Sequence, residues 1–350
     1  MSKPRVISLC AGAGIGEIGI ADHFDTVLAV DSWWRACVAH MQNQTGVRCV
    51  HADIRDAGLR EWARENVGTV DGIIATPPCP SFSQAGPRKP KHTDTATFES
   101  VLDWVRAFAT ECVIVENVIG LRRSPVLKRF IAALKEQGYQ AVEWILNASS
   151  FGVPQHRRRL FLIATKVGTL QPEPPNPTHG LGLLPYRNLR DAIGDLTEAQ
   201  ALALGCAPLS VSRAALMAQI PPGENWSRLP DEERERVIAS CGGKKPHPRI
   251  CRRYEWSDTP LAVLTGPHVQ RFTAPLPPHV NRPFSVAEYL RIQGVTRPFQ
   301  VFGNLKERYR QVGNGVPPAL MSAVCGAVAA SVRKGSENIF THGCGILQKN

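Results

Sequence analysis

Arg5-Val6-Ile7-Ser8-Leu9-Cys10-Ala11-Gly12-Ala13-Gly14-Ile15-Gly16 is the stretch on which the fold turns. Val6 to Leu9 is a short apolar run suited to a buried strand, and glycines follow at alternate positions before a segment that can be helical. Glycine tolerates left-handed backbone and lets main-chain N–H groups approach a ligand closely. A strand that runs through such a turn into a helix is the opening unit of a parallel α/β sheet.

Working outward, short apolar runs alternate with amphipathic stretches through about residue 165. Candidate strands are Val6 to Leu9, Val27 to Val30, Gly72 to Ala75, Val113 to Val115, Ala141 to Leu146 and Leu160 to Ala164. Helical patterns lie between them at Arg35 to Asn43, Leu59 to Glu65, Phe98 to Phe108 and Val126 to Gln137. This rhythm predicts an α/β, doubly wound, mostly parallel sheet, whose ligands sit at the carboxyl ends of the strands. Two acids fall at such ends. Asp31 lies about 20 residues beyond the glycines, where a carboxylate can accept from a ribose diol. Asp53, followed by Ile54, can accept from a purine amine.

From Gly168 the texture breaks, with prolines clustered in Gln171 to Pro177, then Pro221-Pro222-Gly223 and the stretch from Gly242 to Pro248. Such punctuation predicts a smaller irregular lobe. Helical periodicity returns at Val286 to Gln293 and Pro317 to Val332. The expected organisation is therefore a first catalytic half at 1–168, a lobe at 169–249, a return to the first domain at 250–332 and a flexible tail at 333–350.

Composition sets bounds on function. Of 350 residues, 43% are hydrophobic and 20% charged, which is globular rather than disordered. The net charge of +11 favours a polyanionic partner, and basic residues cluster at Arg157-Arg158-Arg159, Lys244-Lys245 and Arg252-Arg253. Ten cysteines without a Cys-x-x-Cys pair, and no apolar leader, point to reduced thiols in a cytoplasm, with no metal site. No apolar run suggests a bilayer span of about 20 residues, so no membrane partner is expected.

The candidate chemistry centres on Thr76-Pro77-Pro78-Cys79-Pro80-Ser81-Phe82-Ser83-Gln84-Ala85-Gly86, at the end of the Gly72 to Ala75 strand. Prolines stiffen the loop, and the strand end directs the thiol to the crevice of an open sheet. Glu116-Asn117-Val118 ends the next strand. Phe151-Gly152-Val153-Pro154-Gln155-His156-Arg157-Arg158-Arg159 follows, and Arg282-Pro283-Phe284-Ser285 with Glu288, Arg291, Gln293 and Gly294 comes later. Gln311-Val312-Gly313-Asn314-Gly315-Val316-Pro317 completes the series.

In this order the motifs resemble those of the DNA cytosine-5 methyltransferases, over about positions 5 to 165 and 250 to 330. The resemblance implies a Rossmann-like, S-adenosylmethionine-dependent methyltransferase fold with a target-recognition lobe at about 170–249. It implies that Cys79 is a nucleophile adding to C6 of a cytosine flipped out of double-stranded DNA, turning C5 into a nucleophile for the donor's methyl group. Glu116 would bind the base at N3 and its exocyclic amine and share a proton with it. Arg157 and Arg159 would supply positive charge beside the base and the nucleophile loop.

By the same resemblance, S-adenosylmethionine would lie against Cys10, Gly12, Gly14, Asp31, Asp53, Ile54, Pro78 and Asn314. DNA contacts would come from Ser83, Gln155, Lys244, Lys245 and Arg249, with Arg213 a further candidate. Gln311 matches a residue that supports the core, and Arg282 suits a structural role equally well. A monomer is expected, with a cognate restriction endonuclease as a candidate partner. This chain departs from the family at Cys10, commonly aromatic, and at Ser8, commonly an acid. Ile15 replaces a usual glycine and Pro80 a usual glutamine. None of these removes an atom the reaction needs. Two other readings share the motifs: an RNA cytosine-5 methyltransferase of the transfer-RNA type, and a catalytically silent DNA-binding homologue.

Overall fold

The computed structural model describes residues 2–78, 92–247, 251–266 and 274–343, with backbone alone for 92–94 and 333–343. Seven strands form one sheet: β1 (Arg5–Leu9), β2 (Asp25–Asp31), β3 (Cys49–His51), β4 (Gly72–Ala75), β5 (Cys112–Asn117), β6 (Tyr139–Asn147) and β7 (Arg158–Lys166). Their order is β3-β2-β1-β4-β5-β7-β6. Strands β1 to β5 pair in parallel, while β7 lies antiparallel to both β5 and β6. The order reverses at β1, so a crevice opens beyond its carboxyl end between the ends of β2 and β4. Every residue of β4 and β5 is buried, as expected for strands covered on both faces.

The chain divides into two compact units, the first comprising 1–151, 158–178 and 316–350 and the second 152–157 and 179–315. In the first unit the sheet is clothed by α1 (Glu17–Ile20), α2 (Trp34–Asn43), α3 (Ala57–Val67), α4 (His92–Phe108) and α5 (Pro125–Glu136). Local chemistry sets their starts. The Asp56 carboxylate accepts from the Gly58 N–H at the head of α3, and the Ser124 hydroxyl accepts from Leu127 N–H with Pro125 in the first turn of α5. One apolar core joins sheet to helices through Ile7, Leu9, Val30, Ile73, Val113, Phe98 and Trp104.

The second unit holds α6 (Leu189–Ile193), α7 (Glu198–Leu202), α8 (Val211–Ala218), α9 (Asp231–Ser240), α10 (Val286–Ile292) and α11 (Leu305–Asn314). Among its described residues there is no strand, only isolated bridges such as Arg253 with Leu276. A separate core forms from Met217, Ile220, Trp226, Leu229, Val237, Cys251 and Leu276. Beside it the Arg253 guanidinium, 4% exposed, donates to the carbonyls of Met217, Ile220, Pro277 and Val280 and to Asn281 Oδ1. Burial lowers its pKa from the ordinary arginine value. These carbonyls belong to the last turn of α8 and to the loop segments around 220 and 277–280, and the guanidinium's several donors answer them together.

The unit boundaries differ from those read in the sequence. Residues 250–315 group with the second unit because α10 packs against α6 and α7, and the return to the first unit falls at Val316. The helix α12 (Pro318–Gly343) continues through positions expected as tail. The stretch 305–332 also has the length and apolar composition to cross a bilayer, contrary to the sequence reading. Within it, Leu320, Met321, Val324, Cys325 and Val328 are wholly buried in the protein.

Candidate active site at the carboxyl ends of the strands

The glycine turn after β1 has left-handed backbone at Cys10 (φ 58°), Gly12 (φ 58°) and Gly14 (φ 82°). Among the described residues nothing lies within 4 Å of where a side chain at Gly12 would stand, which leaves them clear of a ligand at its main chain. Gly14 is a glycine for the opposite reason, since a Cβ there would meet Gln44 Cγ at 3.0 Å and His40 Nδ1 at 3.2 Å. The Gln44 amide donates to Gly14 O at 2.6 Å, tying the turn to α2. Burial, reinforced by the Asp31 and Asp53 carboxylates, pushes the Cys10 thiol far above its ordinary value and keeps it protonated.

Asp31 ends β2 and braces the turn. Its carboxylate accepts from Gly12 N–H and from Trp33 N–H, each at 2.8 Å. Asp53 follows β3 and pairs with Arg55 at 2.5 Å, which holds its carboxyl below the usual range. An adenine amine at Asp53 would have to share that carboxylate with Arg55. Ile54 is 4% exposed, and its carbonyl accepts from the Trp104 indole at 2.9 Å. An open glycine turn with a diol acceptor at the neighbouring strand end is a donor and acceptor set that fits S-adenosylmethionine.

On the other side of β1, Thr76 joins the loop after β4 to the turn: its N–H donates to Leu9 O at 3.0 Å and its hydroxyl to Cys10 O at 2.8 Å. Pro78 is exposed. Cys79 and Ser83 lie outside the described residues. The loop's entry is held from β5, where the Asn117 amide donates to Pro77 O at 2.9 Å. Next to Asn117, the Glu116 carboxylate is paired with Arg159 of β7, Nε to Oε1 at 2.9 Å. Glu116 is buried at 8% exposure, so the pair lies largely out of solvent.

The other expected residues belong to the second unit or lie outside the described residues. Arg157 belongs to the second unit and is 3% exposed; its guanidinium donates to Gly313 O at 2.8 Å and Gly315 O at 3.1 Å. Gln155, expected at DNA, is instead wholly buried. Its amide donates to Gln293 Oε1 and Ile292 O and accepts from Val263 N–H. Arg282 pairs with both Glu198 and Glu288, the structural role. Asn314 ends α11 and is exposed. Lys244 and Lys245 are exposed beyond α9, and Arg249 lies outside the described residues. Sequence reasoning missed Thr76 and Asn117 as anchors and His40 and Gln44 beneath the turn. Thr76 and Asn117 adjoin quoted motif residues, but nothing in the sequence announces the other two.

A model of the C-5 cytosine-specific DNA methylase family matches residues 4–330. The chain is 28% identical over 337 residues to the Type II methyltransferase M.Eco47II of Escherichia coli, covering 91% of this chain and 77% of that one. To the Type II methyltransferase M.XorII of Xanthomonas oryzae pv. oryzae it is 27% identical over 391 residues, covering 96% and 87%. Among solved structures, a candidate DNA modification methyltransferase encoded within an Escherichia coli prophage superposes with a TM-score of 0.74 at 18% identity. The alignment covers 95% of this chain and 100% of the other, a likeness of fold.

Proposed function

Since the chain belongs to the C-5 cytosine-specific DNA methylase family, and is thereby an enzyme of the DNA cytosine-5 methyltransferase class, we propose that it methylates C5 of a cytosine in one specific double-stranded DNA sequence. The donor is S-adenosylmethionine, held at Gly12, Gly14 and Asp31. The observation that carries the reading is the Glu116–Arg159 pair at 2.9 Å, next to the Asn117 amide that holds the entry of the Cys79 loop.

The target base is first rotated out of the duplex, because a stacked cytosine hides C6 from any side chain, at a cost of a few kcal/mol. The Cys79 thiolate then adds to C6, and the displaced ring electrons make C5 nucleophilic. Glu116 bonds N3 and the exocyclic amine, so that charge developing at N3 is met by a proton held there, while Arg159 keeps the carboxylate in place. When bound, S-adenosylmethionine supplies an electrophilic methyl carbon. Removal of the C5 proton and expulsion of the Cys79 sulfur restore the aromatic ring.

Residues 169–249 set the target sequence, with Lys244, Lys245 and Arg249 against phosphates. The enzyme acts as a monomer in the cytoplasm, and the Type II names of the relatives support a cognate restriction endonuclease.

The test is covalent capture on DNA carrying 5-fluorocytosine. Once C5 bears fluorine and a methyl group there is no proton to remove, so the adduct persists through denaturation. A library of fluorinated duplexes with protein and cofactor should give a shifted band whose digested peptide carries the base on Cys79, and Cys79→Ser should abolish it. Capture on RNA alone would replace DNA by RNA as substrate, and no adduct despite cofactor binding would mark a silent homologue.

A further inference from the structure

Thr76, the first residue after β4, holds two consecutive carbonyls of the neighbouring strand: its N–H donates to Leu9 O at 3.0 Å and its hydroxyl to Cys10 O at 2.8 Å. In an extended strand successive carbonyls face opposite neighbours, so with Leu9 O toward β4 the next would point to β2. Here the peptide between Cys10 and Ala11 is turned over. Its carbonyl faces β4, at Thr76, and its N–H faces β2, donating to Val30 O at 3.1 Å. The left-handed backbone at Cys10, φ 58°, makes that reversal. A residue with a Cβ stays in this region only where its surroundings over-determine it. The Thr76 hydroxyl is the bond that takes up the reversed carbonyl.

Two prolines follow Thr76. Each locks its own φ and confines the residue before it to extended backbone, so Thr76, Pro77 and Pro78 make an arm with few free torsions. Pro77 is buried, and its carbonyl accepts from the Asn117 amide at 2.9 Å. The residue after the arm is Cys79. In the other direction, Gly12 follows Cys10 by two positions, and its N–H is held by Asp31 at 2.8 Å. The reversed peptide is therefore the point at which the glycine turn and the proline arm are fastened to each other.

Methyl transfer asks both to be in place together. The Cys79 sulfur must reach C6 of a ring whose C5 faces the donor at the glycine turn, and a misplacement of about 1 Å costs about 100-fold in rate. We infer that Thr76 is a positioning residue for the reaction: through the Cys10 carbonyl its hydroxyl keeps the glycine turn and the Cys79 arm in register, a role that rests on the donor and nucleophile assignments proposed above.

Three variants of the full chain test it. Thr76→Val keeps the shape of the side chain without the hydroxyl, Thr76→Ala removes hydroxyl and branch together, and Thr76→Ser keeps the hydroxyl. The readouts are the thermal melt, S-adenosylmethionine affinity by titration calorimetry, and the rate of capture on the fluorocytosine duplex library at saturating S-adenosylmethionine. Thr76→Val and Thr76→Ala should slow capture about tenfold, the scale of one hydrogen bond, and change donor affinity by less than about threefold. Thr76→Ser should recover the parent's rate. Donor affinity lost in step with the rate would confine the hydroxyl to the glycine turn. Thr76→Ser as slow as Thr76→Val would take the role away from the hydroxyl, and loss of the fold in both Thr76→Val and Thr76→Ala would make it a structural prop. Each of these outcomes, like an unchanged capture rate, overturns the inference. Where the parent is captured they refute the role of Thr76 alone. No capture by the parent refutes the nucleophile assignment, and the positioning role falls with it.

Discussion

Arg159 Nε stands 2.9 Å from Glu116 Oε1, a bond between two antiparallel strands. The register explains it: Glu116 is paired with Phe161, and Arg159, two residues along β7, shares that residue's face. With the side chains only 16% and 10% exposed, the partners are not interchangeable with solvent. Arg159→Met removes the paired guanidinium from a buried carboxylate, which should cost about 3 kcal/mol of stability and lower turnover by about 100-fold or more. Adding Glu116→Gln should recover most of the stability but none of the activity. Denaturant unfolding of the single and double variants checks this, and strictly additive losses would show that the pair is not coupled.

Asp31 braces the glycine turn through Gly12 N–H, and the proposed function adds a second duty, accepting from the ribose diol of the donor. Asp31→Ala should reduce S-adenosylmethionine affinity by about 1–3 kcal/mol, the range for a hydrogen bond to a charged group and the orphaned donor it leaves. Asp31→Asn, which keeps an acceptor for the amides, should lose less. Titration calorimetry reads both, and unchanged affinity in the alanine variant would place the ribose elsewhere.

His40 is wholly buried beneath Gly14, and burial lowers its pKa despite the opposing influence of Glu17, the Gly12 main chain and Asp31. Between the folded value and the free value near 6.5, the unfolded chain holds a proton that the folded chain does not. Stability contributed here is therefore complete above about pH 6.5 and is lost as the pH falls below it. Urea unfolding from about pH 7 down to pH 5 should show this slope, and His40→Gln should flatten it. A slope unchanged in the variant would assign it to other groups.

Gly19 in α1 has no room for a methyl group, because a Cβ would collide with the Pro318 carbonyl and come within 2.7 Å of Ser322 N, both in α12. Gly19→Ala should destabilise by about 1–3 kcal/mol, as overpacking does. A thermal melt equal to that of the parent would show that the two helices can part without loss.

How much of this could be read in advance depended on whether the signal was local. Every strand of the sheet except the three-residue β3, Asp31 and Glu116 at strand ends, and the glycine turn follow from apolar runs and breakers lying next to one another in the chain. Apart from α10, expected at Val286 to Gln293, the helices of the second unit were passed over as irregular, although their starts are written in the sequence. Asn188 with Asp191, Thr197 with Gln200 and Asn304 with Glu307 are reciprocal capping boxes. The partners of the basic run were hidden for a different reason. Arg157 and Arg159 look alike in sequence, yet the unit boundary passes between them. One answers carbonyls of the second unit and the other a carboxylate of the first. Charge type alone does not say which partner a buried arginine finds.

Arg253 binds its neighbours almost wholly through their main chain, taking the carbonyls of residues 217, 220, 277 and 280. A carbonyl is the same whatever side chain its residue carries. The positions it fastens can therefore change identity without loosening the fastening, while Arg253 itself cannot. Over evolutionary time this gives the second unit one fixed bolt whose seats are held by backbone, so that even at Met217 and Ile220 in the adjoining core only packing, and not the bolt, restricts which side chain can stand there.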